Sequence, residues 1–120
     1  LSDWFVRNLP ADALVLGSLD FSHYQTSAVA QREDEQTLTI IRGFQRERWR
    51  EAHVDSRKAL LLLLEFAERT GSKEFEIVHH TNSGILLGND RDPCTSYVNC
   101  FFRSHASDVR GEFDGVSSVP

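Results

Sequence analysis

The sequence has little of what several functional classes require. It holds two cysteines, Cys94 and Cys100, which are too few for a disulfide framework, and no charged-then-apolar signal segment opens it. We therefore expect a cytoplasmic location. The formal charge of -5 at pH 7 provides no basic surplus to neutralise phosphates, so nucleic acid and an anionic membrane surface are not expected as partners.

Long hydrophobic runs and methionine are also lacking. The longest apolar run, residues 59–64, is followed at once by Glu65, whereas a helix that spans a bilayer needs about 20 apolar residues. The chain is therefore not expected to cross a membrane. The first residue is Leu1 rather than methionine, so we expect the chain to be a fragment of a longer protein.

What the sequence does contain is typical of one globular domain. It has 120 residues, of which 40% are hydrophobic and 26% are charged, and this is enough for a single domain of ordinary composition. We place the domain in residues 1–103. Residues 104–120 are rich in Ser, Asp, Gly and Val without clear periodicity, so this tail is predicted to be a loop or disordered.

Apolar patterns predict helices that alternate with strands. The run at residues 13–19 is nearly continuous, which is typical of a strand buried on both faces of a parallel sheet. The helix that contains residues 59–64 is so apolar that we expect it to be covered on both sides. The predicted fold class is α/β, with a mixed or mostly parallel sheet and helices packed on it. Helices are predicted over residues 4–9, 27–43, 45–52 and 55–71, and strands over residues 13–19, 74–79 and 95–102, with a polar loop between the last two strands.

This topology predicts a cluster of polar side chains at one edge of the sheet. The helix that begins near Asp55 runs away from that edge, and the strand that leads into "HHTNS" returns to it. If the strand at residues 13–19 is parallel to the returning strand, Asp20 and His23 lie at the same edge. Open α/β sheets bind ligands at this carboxyl edge.

His23 is the leading candidate at this edge, because an imidazole has a reference pKa of about 6.5 and transfers protons near neutral pH. A turn histidine bonded to the backbone is an equally weighted alternative. Asp20 can orient His23 but is more simply explained as a turn or cap residue. Ser22 lacks a G-x-S-x-G elbow, so a serine hydrolase is not favoured. His53 can approach the same edge, although solvent exposure is the simpler interpretation.

The remaining candidates also have structural alternatives. Asp55 can cap the following helix or ligate a metal, and capping is the simpler role. His79 and His80 are consecutive on a strand and point to opposite faces. His80 is expected to face the site, because Phe75 and Ile77 share the face of His79. Neither cysteine belongs to a C-x-x-C pattern, so a zinc site is not expected.

Several motifs together resemble the Memo family. They are "LDFSHY" at residues 19–24, "HVDSRKALLLLLEFAERTG" at residues 53–71, "HTNSG" at residues 80–84, and the final strand "SYVNCFF" at residues 96–102. The Memo family includes protein B of the AmmeMemoRadiSam system and is similar in fold to the class III extradiol dioxygenases. The resemblance extends over residues 2–102 and implies that the chain is the C-terminal part of such a domain.

The resemblance implies roles for individual residues. His23 matches the cleft histidine that serves as acid or base in the dioxygenase relatives, and Asp20 matches the acid of the same motif. Asp55 lies where animal Memo proteins have a metal-binding cysteine and where the dioxygenases have a glutamate ligand. The site would then resemble a triad of two histidines and one carboxylate around non-haem iron. The other cleft-lining positions are Ser22, Tyr24, His80, Asn82 and Ser83.

The two histidine ligands of that triad belong to the N-terminal half of the family, which these 120 residues do not contain. A divalent metal, with iron as the candidate, is therefore expected only with those missing histidines, and no tightly bound cofactor is expected in this chain alone. A partial sheet exposes an edge or a face, so we expect association, with a homodimer as the simplest form. Partners from the AmmeMemoRadiSam system follow from the resemblance alone.

Three functions remain open from the sequence. The first is metal-dependent redox or dioxygenase-like chemistry on an unassigned substrate, in the full-length protein. The second is a non-catalytic module that binds a peptide or phosphopeptide in the same cleft, as proposed for animal relatives. Amides at the helix N-terminus favour an anionic ligand, but the Asp55 carboxylate would repel it. The third is a chain that folds and associates without retained activity.

Overall fold

The computed structural model describes residues 1–104, which form a small α/β domain. This part of the chain contains five helices and one three-stranded antiparallel sheet. None of its helices is long and apolar enough to cross a membrane. Of the predicted tail, residues 105–120 lie outside the described residues. In chain order the elements are α1 (Ser2–Asn8), β1 (His23–Gln25), α2 (Ser27–Arg42), a 3-10 helix (Arg46–Glu51), α3 (Arg57–Arg69), β2 (Glu74–Asn82), α4 (Ser83–Leu87) and β3 (Cys94–Arg103).

Most of the predicted elements are confirmed with shifts of a few residues at their ends. The helices predicted over residues 4–9, 27–43 and 55–71 correspond to α1, α2 and α3, and the one predicted over residues 45–52 corresponds to the 3-10 helix. Both C-terminal strands are also present. The predicted polar loop between them is wrong, because it contains α4, whose first amides are capped by Asn82. An N-terminal cap provides the local stabilisation that a five-residue helix needs.

The sheet has the order β1-β3-β2, and both pairings are antiparallel. The prediction of a mixed or mostly parallel sheet is therefore wrong for the described residues. β2 and β3 are joined by residues 83–93, which is too short for the crossover that parallel neighbours require, so the two strands form a long hairpin. β1 pairs with β3 only at the beginning of β3, where His23 lies opposite Thr95.

The strand predicted at residues 13–19 is not formed. The segment has no turn or bend, yet it pairs with no strand in the described part of the chain. Leu14 and Leu16 are 84% and 85% exposed. An apolar run marks a segment that can be buried, but a strand also requires a neighbour with free backbone groups. The described residues supply no such neighbour at this position.

α3 buries one face against the core. Ser56 caps the helix, and its side chain accepts a hydrogen bond from the amide of Ala59. Leu60, Leu64 and Ala67 are buried at helical spacing. The expected cover on the other side of α3 is only partial in residues 1–104: α1 contacts the helix through the rings of Phe5 and Phe66, and the remaining leucines of α3 stay partly exposed. The core otherwise consists of Phe21, Leu38, Ile40, Ile41 and Ala52, with Phe75, Ile77, Val98 and Phe102 packed against it.

A bulge in β2 decides which histidine faces the core. Ile77 pairs with Cys100 and His79 pairs with Asn99, so Val78 is an extra residue that reverses the alternation of the strand. His79 is therefore exposed, and His80 lies on the same face as Ile77. The predicted placement of His80 on the face opposite Phe75 and Ile77 is wrong, because strict alternation does not hold across the bulge.

Candidate functional site

A shallow surface depression of about 220 Å³ collects several of the predicted residues. It lies between the β1 segment, the first half of α2 and the chain that leads into α3. Its lining includes five side chains that can carry charge, and these have both signs. The lining residues are Ser22, His23, Gln25, Glu33, His53, Val54, Asp55 and Arg57.

Asp55 lines this depression, and two hydrogen bonds join it to Asp20 at the rim. The amide of Asp20 donates to Oδ1 of Asp55 at 3.1 Å. The amide of Asp55 donates to the carbonyl of Asp20 at 3.0 Å. The structure thus brings together the two acids that were expected at one sheet edge, although the parallel strand on which that expectation depended is absent.

His23 is held at the rim by two neighbours. Its Nδ1 lies 3.2 Å from Oγ1 of Thr95, within hydrogen-bond distance. Its Nε2 lies 3.5 Å from Oδ2 of Asp20, which is too long for a strong hydrogen bond but close enough for electrostatic orientation. The side chain is 29% exposed. An imidazole in this setting is accessible to a ligand while its ring orientation is constrained.

Glu33 and His53 complete the opposite wall. Glu33 is not expected there, and His53 is expected there only as the alternative to solvent exposure. His53 Nδ1 lies 3.7 Å from Oε2 of Glu33, and its Nε2 lies 3.0 Å from Oε1 of Gln36. Sequence patterns placed Glu33 on a charged helix face and His53 in solvent. Their contact joins α2 to a loop that follows the 3-10 helix, and no local periodicity signals such a contact.

Arg57 supplies a cation to the same depression. Its Nε donates to the carbonyl of Ala52 at 2.8 Å, which fixes the plane of the guanidinium group. No hydrogen-bond partner of its two terminal nitrogens occurs in residues 1–104. This arginine is therefore available to an anionic ligand, although it lies beside the Asp55 carboxylate.

A buried hydrogen-bonded cluster lies behind the depression. Asp34, on α2, is 0% exposed. Its Oδ1 accepts from the Ser22 hydroxyl at 2.8 Å and from the Ser22 amide at 3.3 Å. Its Oδ2 lies 2.8 Å from Nε2 of His80. One carboxylate therefore links β1, α2 and β2 and positions Ser22, whose other side lines the depression.

Sequence reasoning missed Asp34, although a signal for it exists. Ala30, Asp34 and Leu38 follow one another at four-residue spacing on α2, and the two flanking residues are fully buried. An acid within the apolar stripe of a helix requires polar partners in the interior. Its partners, Ser22 and His80, are both predicted to line the cleft. Ser22 does line the depression, whereas His80 bonds to Asp34 and does not.

The other predicted cleft residues have structural contacts. Asn82 is 1% exposed, and its Oδ1 accepts from the Ile85 amide and from the Ser27 hydroxyl. The Ser83 hydroxyl accepts from the Thr95 amide at 3.0 Å. Tyr24 is 85% exposed, with a φ of 58° that is unusual for a bulky residue. None of these three predicted residues lines the depression.

The described residues do not form a complete metal site. No group of three or more His, Cys, Asp and Glu side chains in residues 1–104 has the geometry to hold a metal ion. Asp55 can therefore contribute one ligand only. Burial raises the pKa of the Cys100 thiol above its ordinary value, so this cysteine favours the protonated form and is a poor thiolate ligand.

Comparisons with known proteins add no relative. No family model, no curated protein and no solved structure matches this chain.

Proposed function

We propose that the depression forms one wall of a metal-dependent redox site in a Memo-like protein, with Asp55 as a metal ligand and His23 as general acid or base. The observation that supports this most is the convergence of Asp20, His23 and Asp55 at one rim. Asp55 follows Asp20 by 35 positions, so the fold and not the sequence interval brings them together.

The geometry of Asp55 suits a ligand. Its Oδ1 is engaged by the Asp20 amide, while Oδ2 has no hydrogen-bond partner in the described part of the chain. One oxygen thus orients the carboxylate and the other faces the open side. Carboxylate oxygen is a common ligand for Fe²⁺, and two histidines supplied from outside these residues would complete the triad. A bound iron would supply redox and Lewis-acid chemistry at this wall.

His23 is placed to move a proton beside that ligand. Because Thr95 holds Nδ1 and Asp20 approaches Nε2, the ring has a fixed orientation in both protonation states. The partly exposed edge allows a substrate oxygen to reach it. A general acid or base requires this combination of access and fixed orientation.

Arg57 favours a second candidate, a module that binds a phosphorylated peptide. A guanidinium group with free terminal nitrogens is suited to phosphate recognition. The carboxylates of Glu33 and Asp55 line the same depression and repel such an anion, so we rank this function below the metal site. A chain without retained activity is the outcome if neither ligand binds.

The test is an anaerobic Fe²⁺ titration of the protein at the full length its gene encodes. The expected result is one iron per chain for the wild type and loss of stoichiometric binding in Asp55→Ala. Asp90→Ala is the matched control, because it removes an exposed acid that does not line the depression. This variant should bind iron like the wild type. Iron binding that is the same in both variants would remove Asp55 as a ligand. Binding of a phosphotyrosine peptide that depends on Arg57, without iron binding, would favour the second candidate.

A further inference from the structure

The depression contains charges of both signs that do not neutralise each other. Arg57 is a permanent cation, and Glu33 and Asp55 are the carboxylates of the lining. Within residues 1–104, Arg57 forms no ion pair with either acid, although all three side chains line a space of about 220 Å³. Opposite charges attract strongly at short range, so their separation requires a structural cause.

The cause is that each charged group is held by a neighbour of its own. Nε of Arg57 donates to a backbone carbonyl at 2.8 Å. Oδ1 of Asp55 accepts from the Asp20 amide at 3.1 Å, and Oε2 of Glu33 lies 3.7 Å from Nδ1 of His53. These contacts orient the charges around an open space before any ligand arrives, which reduces the entropy lost on binding.

Each of the three groups also keeps polar atoms that are free. The terminal nitrogens of Arg57, Oδ2 of Asp55 and Oε1 of Glu33 have no hydrogen-bond partner among the residues that the structure describes. The Glu33 side chain is 22% exposed, so its free oxygen is accessible. The depression therefore offers a cationic donor and anionic acceptors to the same ligand.

A ligand with a single charge fits this lining poorly. An anion bound to Arg57 is repelled by the two carboxylates, and a cation bound to a carboxylate is repelled by the guanidinium group. A ligand with both a carboxylate and an ammonium group is attracted at both ends, and its carboxylate can accept two parallel hydrogen bonds from the arginine. Pockets for drug-sized ligands begin at about 300 Å³, so this smaller space suits a small molecule.

We infer that the depression binds a small amino acid as a zwitterion, with its carboxylate on Arg57 and its ammonium group on Glu33. The ammonium group is assigned to Glu33 because the proposed metal site uses the free oxygen of Asp55, and in this respect the inference rests on the proposed function. It gives that site a class of substrate, amino acids, which differs from the phosphopeptide of the second candidate.

The test is an NMR titration of the isotope-labelled full-length protein, dialysed free of metal, with glycine, β-alanine and γ-aminobutyrate. Each amino acid is compared with the acid that lacks its ammonium group (acetate, propionate or butyrate) and with the amine that lacks its carboxylate (methylamine, ethylamine or propylamine). At least one amino acid should shift the Arg57 side-chain signal saturably and bind about tenfold more tightly than both of its analogues. A matching acid or amine that binds as tightly would overturn the inference, as would the absence of a saturable shift with all three amino acids.

Two variants assign the two charges of the ligand. Arg57→Gln should remove most of the advantage of the amino acid over the amine, and Glu33→Gln should remove most of its advantage over the acid. Glu35→Gln and Arg91→Gln are the matched controls, because they remove exposed charges that do not line the depression, and both should bind like the wild type. An unchanged advantage in Arg57→Gln or in Glu33→Gln would contradict the assignment. Far-UV circular dichroism checks that the variants are folded, and the comparison of ligands on the wild type needs no variant.

The titration separates this inference from the proposed metal site, because no iron is present in it. Iron binding without amino-acid binding would overturn the inference and leave the metal site in place. Amino-acid binding without iron binding would support the zwitterion site and contradict the metal site.

Discussion

Two neighbouring stretches of this chain, residues 13–19 and residues 21–25, have very different environments. In the first, Leu14 and Leu16 are almost fully exposed, and the amides of residues 14–19 are unpaired within residues 1–104. In the second, Phe21 and Ser22 are buried, the backbone pairs with β3, and Ser22 is bonded to Asp34. Hydrophobicity alone therefore does not decide which stretch becomes ordered within the sheet. Residues 21–25 join the sheet because their backbone has a partner in β3 and because Ser22 is bonded to the buried Asp34.

Removal of the Asp34 carboxylate should have the largest effect on the free energy of unfolding. Asp34→Ala leaves the Ser22 hydroxyl and His80 without their shared acceptor in the interior, so we expect the free energy of unfolding to fall by about 3–5 kcal/mol. Urea denaturation measures this loss. Asp90→Ala, at an exposed position, is the control and should change stability by no more than about 0.5 kcal/mol. A loss of less than about 1 kcal/mol in Asp34→Ala would show that the cluster does not anchor β1.

Leucine truncation compares the two environments directly. Leu64 is fully buried, so Leu64→Ala leaves a cavity in the core and should lower the free energy of unfolding by about 2–5 kcal/mol. Leu14→Ala, at a protein concentration where the chain is monomeric, should change it by no more than about 0.5 kcal/mol. Urea denaturation of both variants measures the two losses in the free energy of unfolding. Equal losses at the two positions would mean that residues 13–19 pack within the monomer.

The smallest expected effect on stability concerns an ion pair between α1 and α3. Asp3 forms an ion pair with Arg69 of α3, and this arginine lowers the pKa of the Asp3 carboxyl. Because the pKa is lowered in the folded state, the pair stabilises the fold above the ordinary Asp pKa of 3.8 and loses this effect as the pH falls through the folded-state pKa.

Asp3→Asn should therefore reduce stability slightly at neutral pH, and the difference from the wild type should shrink in acid. The pair is at the surface, so added salt should also reduce the difference. Urea denaturation at several pH values and two salt concentrations measures both trends. A difference that grows as the pH falls would contradict the assigned direction of the pKa shift.

The sequence predicted the elements better than their arrangement. Helical periodicity and the alternation in β2 and β3 are local signals, and the elements they predict are present. The cap of α3, expected at Asp55, is made by the neighbouring Ser56. The direction of the sheet depends on the connection between β2 and β3, which is predicted as a polar loop and contains α4. The bulge at Val78 inserts one residue, and nothing in its neighbours' polarity indicates where alternation breaks.

The candidate site was likewise predictable only where local signals in the sequence mark its residues. Asp20, His23 and Asp55 were identified because polar residues follow apolar segments, and they do meet at one rim. Glu33 and Asp34 were missed, and His53 was given only as an alternative, because their contacts join distant parts of the chain. Of these, Asp34 alone carried a usable signal, an acid in the buried stripe of a helix.

The most direct measurement of the central claim is iron stoichiometry in three forms of the full-length protein: wild type, Asp55→Asn and Asp55→Glu. Asn keeps the shape of the side chain and can still accept the Asp20 amide, but it lacks the carboxylate charge. Glu retains the carboxylate. We predict one bound iron in the wild type, loss of binding in Asp55→Asn and at least partial binding in Asp55→Glu. Full binding in Asp55→Asn would contradict the assignment of Asp55 as a metal ligand.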